Sequence, residues 1–257
     1  MRPDQIERYK RHIFLREIGG PGQTKLRNAR VFVAGAGGLG APVIQYLAAC
    51  GIGHLTIADM DAVDLSNLQR QIIYRTHDIG EAKVALAKEF VSRLNPDVSV
   101  NPIDEPITCK NIHKSIAGHD LVLDGTDNFP TRRLINRACV EAGIPLLSGA
   151  ISQWEGQVSL FDVKEGTPCF DCLFPNDPAA GIAPNCSEGG VIGALPGIVG
   201  TIMALEAIKF LSGAGQCLKG EILIYDGLWA ESRKIRVKRS ANCAVCTIVQ
   251  ERAACLA

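Results

Sequence analysis

The sequence predicts an α/β fold, a doubly wound and mostly parallel sheet continued by antiparallel strands and braced by a structural zinc site. Three observations carry that prediction. Strand and helix signals alternate through the first half, the apolar run at Val31 to Ala34 opens onto a glycine-rich turn and a helix, and two Cys-x-x-Cys pairs stand far apart in the second half. Strands alternating with helices of this length imply parallel pairing.

The elements follow in order. The opening segment MRPDQIERYKRHIFLREIGG is charged throughout and has no apolar core with a cleavage site, so it does not read as a secretory signal. Strands are expected at Val31 to Ala34, His54 to Asp59 and Asp120 to Thr126, with helices at Ala41 to Cys50, Ala82 to Leu94 and Arg132 to Ala142 before the run IPLLSG. In the second of these helices Val84, Ala87, Val91 and Leu94 recur at helical spacing. Beyond residue 150 the runs QVSLFD, EILIYDG and SRKIRVK read as further strands, antiparallel ones, and Val191 to Leu211 is the one long helix candidate. The longest uncharged run, Gly189 to Leu205, contains Pro196 and falls short of the roughly 20 apolar residues that span a bilayer, so a buried helix is expected there.

Composition narrows the class. A chain of 257 residues with 47% apolar content can bury a substantial core. No repeat or low-complexity linker divides it. A single domain is expected, with residues 1–150 as a nucleotide-binding half and 151–257 as the half that carries the zinc site and recognises a partner. The 27 basic and 27 acidic residues balance, which gives no reason to expect nucleic acid or an anionic membrane as partner. Ten cysteines without an export signal read as reduced thiols and metal ligands, and the protein as cytoplasmic.

The glycine loop is Gly35-x-Gly37-x-x-Gly40, with Gly38 between. Gly35 permits the tight turn, Gly37 lets backbone approach a phosphate, and Gly40 lets the helix pack on the sheet, as in Rossmann-like dinucleotide sites. The helix N-terminus supplies free N–H groups for an anion. Asp59 follows Gly40 by 19 residues, where such folds place a ribose-binding acid. The segment DMDAVDLSNLQRQ departs from the dehydrogenase pattern by bringing Asp61, Asp64, Asn67, Gln69, Arg70 and Gln71 together; a polar surface loop explains it equally well. Lys83 falls in the first turn of its helix, where the dipole opposes a cation and a bound anion would offset that cost. Arg70 and Lys83 are candidates to hold a triphosphate. Asp127, in DGTDN at a strand's C-terminal end, is a candidate Mg²⁺ ligand, or else an Asx turn or helix cap before Pro130.

The cysteine pairs Cys169-x-x-Cys172 and Cys243-x-x-Cys246 supply four thiolates for a closed, structural zinc site; a redox pair is the alternative. Cys186 stands alone in PNCSEGG ahead of the long helix, where its thiol is either activated by the helix end or merely a small buried group.

Taken together, RYKRHI, GAGGLG, DMD, LSNLQRQ, GEAKV, DGTDN, both cysteine pairs and NCSEGGVIG resemble the adenylyltransferases that activate ubiquitin-like sulfur-carrier proteins, relatives of ubiquitin-activating enzymes. SGAISQWEGQVSLFD and EILIYDG are most similar to the molybdopterin-synthase branch, with the thiamine branch close behind. The resemblance implies that the loop glycines, Asp59 and Asp61 bind ATP, with Asp59 on the ribose, and that Asn67, Arg70, Lys83 and Asp127 surround the triphosphate and Mg²⁺. It implies a homodimer in which Arg11 reaches into the partner's ATP site, a carrier ending in Gly-Gly as substrate, and a covalent thioester or persulfide link for Cys186. Larger relatives append a sulfurtransferase domain; here the second cysteine pair lies close to Ala257, so sulfur is expected from a separate sulfurtransferase or cysteine desulfurase, or by relay through Cys186. Two other functions compete, a nicotinamide-dependent oxidoreductase and a zinc-stabilised binding module without catalysis.

Overall fold

The computed structural model describes residues 1–176 and 189–247. Two helices, α1 (Pro3–Ile13) and α2 (Gly19–Asn28), precede the sheet. Their anchor is Tyr9, buried, whose hydroxyl accepts a hydrogen bond from Asn95 Nδ2 at 2.8 Å.

The chain then alternates: β1 (Arg30–Ala34), α3 (Gly40–Cys50), β2 (His54–Ala58), α4 (Lys83–Leu94), β3 (Ser99–Ile103), α5 (Ile112–Ile116), β4 (Leu121–Asp124), α6 (Phe129–Ala142) and β5 (Leu146–Ser152). Then come β6 (Glu155–Phe161), the short α7 (Phe170–Leu173), α8 (Ala194–Ser212), β7 (Glu221–Asp226) and β8 (Glu231–Arg236). The eight strands among the described residues form one sheet in the order β3-β2-β1-β4-β5-β6-β7-β8. Pairing is parallel from β3 to β5 and antiparallel from β5 to β8, as the sequence predicts.

Strand periodicity explains the two cores. Val31, Val33, Leu55, Ile57, Leu121, Leu123 and Leu147 face one side, against α3, α4 and α8. Phe32, Ala34, Ala58, Val122 and Leu146 face the other, against α5 and α6. Each large side chain that is wholly buried this way contributes about 1.5–3 kcal/mol. The helix expected at Val191 to Leu211 begins later, at Ala194, and runs to Ser212. It is long and apolar enough by length and composition to cross a bilayer, yet Val199, Met203 and Ala207 are buried in the first core with residues of β5 and β6.

The boundaries differ where the chain leaves the sheet. Asp59 lies just past β2, and Gly125 to Asp127 just past β4. β3 carries no clear strand signal, since Pro102 interrupts SVNPI; the structure places it at the sheet's edge, where a missing N–H is tolerated.

Candidate functional site

Strand order reverses between β1 and β4, because the chain goes from β1 to its neighbour β2 on one side and later returns to β4 on the other. A doubly wound sheet opens a crevice at that point, beyond the C-terminal ends of the strands. A cavity of about 800 Å³ lies there, lined by the glycine loop after β1, by the segment after β2 and by the DGTDN loop after β4.

The glycine loop is held from three sides. Gly35 sits at φ +90°, a left-handed conformation that L side chains rarely adopt, and a β-carbon on Gly40 would lie 1.9 Å from the Gly35 carbonyl oxygen. Asp59 accepts from the N–H of Ala36 at 2.7 Å and of Asp61 at 2.9 Å. Tyr74 donates its hydroxyl to the Ala36 carbonyl at 2.8 Å. Burial pushes the Asp59 carboxyl up, while those backbone donors and Lys83 pull the other way.

Cations converge on the same cavity. Lys83 is the first residue of α4, and only 5% of its side chain is exposed; its Nζ donates to Asp61 Oδ2 at 2.8 Å, and Asp61 itself is 56% exposed. The surface-lysine alternative therefore fails. Leu65–Asn67 forms a tight turn capped by Asp64, so that Asn67 and Arg70 both line the cavity. Arg70 is braced by donating Nη1 to the Ser66 carbonyl at 3.0 Å.

The helix-cap alternative for Asp127 does not hold. The cap of α6 is its neighbour Asn128, whose Oδ1 accepts from the Thr131 N–H at 2.9 Å. Asp127 is exposed into the cavity with no hydrogen-bond partner among the described residues. Oxygen donors of this kind suit Mg²⁺.

Sequence reasoning assigned no role to Asp124 or Arg132. Asp124 is fully buried under the cavity and accepts from Thr126 N at 3.0 Å and Thr126 Oγ1 at 2.7 Å. Burial pushes its carboxyl up, with Arg132 opposing. Arg132 donates Nε and Nη2 to the Thr126 carbonyl at 3.0 and 2.5 Å, which fixes the loop. A carboxylate ending the apolar run LVLD is the signal that was there to read.

Arg11 does not join the cavity of its own chain; it is exposed on α1. Cys186 lies outside the described residues.

The four cysteines do converge. Their Sγ atoms all lie within 4.8 Å of one another, with Cys169–Cys172 at 3.9 Å, Cys169–Cys243 at 3.6 Å and Cys172–Cys246 at 3.5 Å. Four thiolates about 2.3 Å from a tetrahedral zinc would be about 3.8 Å apart, so the spacing and the all-sulfur donor set fit that metal. The N–H of Ser240 donates to Cys172 Sγ at 3.4 Å, as expected of support for a thiolate. A dithiol redox pair does not call for four sulfurs in one cluster. Val140 and Val163 close the inner side.

A glycine loop at a helix N-terminus, at the switch point of a doubly wound sheet and faced by Arg70 and Lys83, defines a nucleotide-binding α/β protein. The chain belongs to the ThiF family, whose pattern matches residues 9–245. It is 48% identical over 242 residues to a SAMP-activating enzyme E1 of Haloferax volcanii, covering 94% of this chain and 89% of that one. To a sulfur carrier protein adenylyltransferase of Thermus thermophilus it is 46% identical, covering 95% and 91%. An adenylyltransferase and sulfurtransferase MOCS3 of Culex quinquefasciatus is 42% identical, but the chain spans only 56% of it. Among solved structures, PaaA superposes with a TM-score of 0.80 at 23% identity, covering 93% of this chain and 76% of that one, which bears out the fold. MccB of E. coli, crystallised with AMPCPP and MccA, gives 0.80 at 23% identity and covers 93% and 74%.

Proposed function

We propose that the chain adenylates the C-terminal glycine carboxylate of a ubiquitin-like sulfur-carrier protein, using ATP and releasing pyrophosphate. One observation carries the reading: Gly37, Asp59, Asn67, Arg70, Lys83 and Asp127, scattered over the first half of the sequence, line one cavity. A nicotinamide enzyme is disfavoured by the match of the ThiF family to residues 9–245 and by relatives named for activating carrier proteins, and a non-catalytic module has no use for the full set.

The chemistry asks little covalent work of the protein. The carrier's carboxylate attacks the α-phosphorus and pyrophosphate leaves, giving an acyl-adenylate open to a sulfur nucleophile. No general base is needed, since a carboxyl group of ordinary pKa is already ionised at neutral pH. Two anions must instead be held together, and Arg70 and Lys83 neutralise the phosphates while the glycine loop fixes their position. Mg²⁺ held by Asp127 would supply further charge neutralisation.

Zinc in the four-cysteine cluster is structural in this reading. Arg11, exposed on α1, completes the site of a partner subunit in a homodimer. Molybdopterin biosynthesis is the pathway favoured by SGAISQWEGQVSLFD, with the thiamine pathway as the second choice, and a separate sulfurtransferase or desulfurase supplies sulfur. A cytoplasmic location fits both ATP use and reduced thiols.

The test is ATP–pyrophosphate exchange with a carrier ending in Gly-Gly, followed by mass measurement of the carrier. Exchange and an added adenylate at the carrier's C-terminus are expected; no exchange with any such carrier would remove the proposal. Light scattering tests the dimer, and a fully active monomer would take Arg11 out of the site.

A further inference from the structure

The segment that brings Arg70 to the cavity ends in a residue whose side chain has no evident use in the folded protein. Gln71 is only 4% exposed, and its Oε1 is wholly buried with no hydrogen-bond partner among the described residues. Its backbone is fully engaged, the N–H donating to the Asn67 carbonyl at 3.0 Å and the carbonyl accepting from Tyr74 N–H at 3.2 Å, so the side chain is held in place. That side chain lines the nucleotide cavity. Its Nε2 lies 3.6 Å from the position a β-carbon would take on Gly37, the glycine at which backbone approaches a phosphate.

A buried amide with an orphaned end is unfavourable for folding. Methionine, similar in length and without polar ends, would fill the same slot at no such cost. The amide therefore has its use on the cavity side. An anion seated over Gly37 selects the NH₂ end, and the carbonyl end, pointing away from that anion, is left without a partner as a consequence.

We propose that Gln71 is a nucleotide-contacting residue whose amide donates a hydrogen bond to a phosphate oxygen held over Gly37. Arg70 and Lys83 supply charge; Gln71 supplies a directed, uncharged donor on the face next to the glycine loop. The inference rests on ATP being the ligand of this cavity.

Calorimetric titration of ATP with Mg²⁺, and of adenosine, into wild type, Gln71→Met and Gln71→Glu tests it, alongside thermal melts without ligand. Gln71→Met should weaken ATP about tenfold, as loss of a hydrogen bond to a charged group does, while leaving adenosine affinity unchanged and the ligand-free melting temperature equal or higher. Gln71→Glu should weaken ATP further, since it replaces the donor by a like charge. ATP affinity within twofold of wild type in Gln71→Met, an equal loss for adenosine, or a ligand-free melting temperature lowered by several degrees would each overturn the assignment. The last outcome would make the amide a structural group. Wild type that binds no ATP would instead bring down the reading of the cavity, and this inference with it.

Discussion

The parallel and antiparallel halves of the sheet reach stability by different means. From β3 to β5 helices cover both faces, and the alternating residues of each strand are shared between two apolar cores. Farther along, one face of β6 packs on α8, while the other face of β6 to β8 carries Gln157, Ile224 and Arg233 in one cross-strand row at the cavity and buries Ser159, Phe161 and Ile222 beside it. All six residues of β8 are exposed. The chain beyond β8 is tied back by Cys243 and Cys246 to Cys169 and Cys172, 74 residues earlier. Where burial does not hold the chain, a metal on these four cysteines would, and the two halves should respond differently to the same insult.

The largest effect is expected at the cysteine cluster. Closing a loop of that length is worth about 4 kcal/mol by the chain-entropy argument, so chelation or Cys243→Ser should lower the denaturant midpoint by a corresponding amount. Nucleotide affinity of the protein that remains folded should hardly move. Equal losses in both would show that the halves are not separable.

Next comes Lys83→Met. The lysine is buried, but its direct partner Asp61 is half in solvent, and the buried Asp59 keeps its two backbone N–H donors when the cation is removed. Stability should change by less than about 1 kcal/mol, whereas exchange activity should fall about a hundredfold or more. A variant that melts early and keeps its activity would make the pair structural.

Smaller still is Asn128→Ala, which deletes the cap of α6 next to Asp127. A loss of about 1 kcal/mol by chemical denaturation is expected, with activity reduced only through the position of Asp127.

The smallest lies under the parallel half, away from the cavity. His119 accepts or donates at Thr56 Oγ1, 2.8 Å from Nε2, while Nδ1 lies 3.1 Å from the Ile116 carbonyl. Burial holds its pKa below the usual histidine value, with Arg30 and His54 adding to the shift and the Ile116 carbonyl opposing it. The unfolded chain therefore takes up a proton near pH 6.5 that the folded one refuses. The stability this represents is present above about pH 6.5 and is lost as pH falls through that value. Melts at about pH 7.5 and about pH 5.5 should show a gap that His119→Gln narrows; an unchanged gap would assign it to other groups.

How far the sequence could be read depends on whether the deciding interaction is local. Glycines at Gly35, Gly37 and Gly40, and the periodicity of Val84, Ala87 and Val91, are local facts, and the elements they mark were legible. β3 was not, because Pro102 belongs in a strand only at a sheet edge, and edges are set by strand order. Nor was the burial of Lys83, which depends on Asp61 lying 22 residues away and brought within 2.8 Å by the fold. Asn128, not Asp127, is the cap, and neighbouring side chains of similar shape compete for that role until the backbone is fixed. Cys169 and Cys243 were legible as candidate ligands because pairs at this spacing advertise themselves; that their sulfurs lie 3.6 Å apart was not.

The same cluster has a topological consequence. Cys169 and Cys172 follow β6, and Cys243 and Cys246 follow β8, so a metal held by the four sulfurs would close a ring around everything from α8 through β8. A single proteolytic cut anywhere inside that ring would open the backbone without parting the two fragments. In denaturant, where the sheet and core no longer hold them, they would part only once the thiolates were protonated or the metal withdrawn, which makes fragment release after a nick under those conditions an assay of what the cysteines hold.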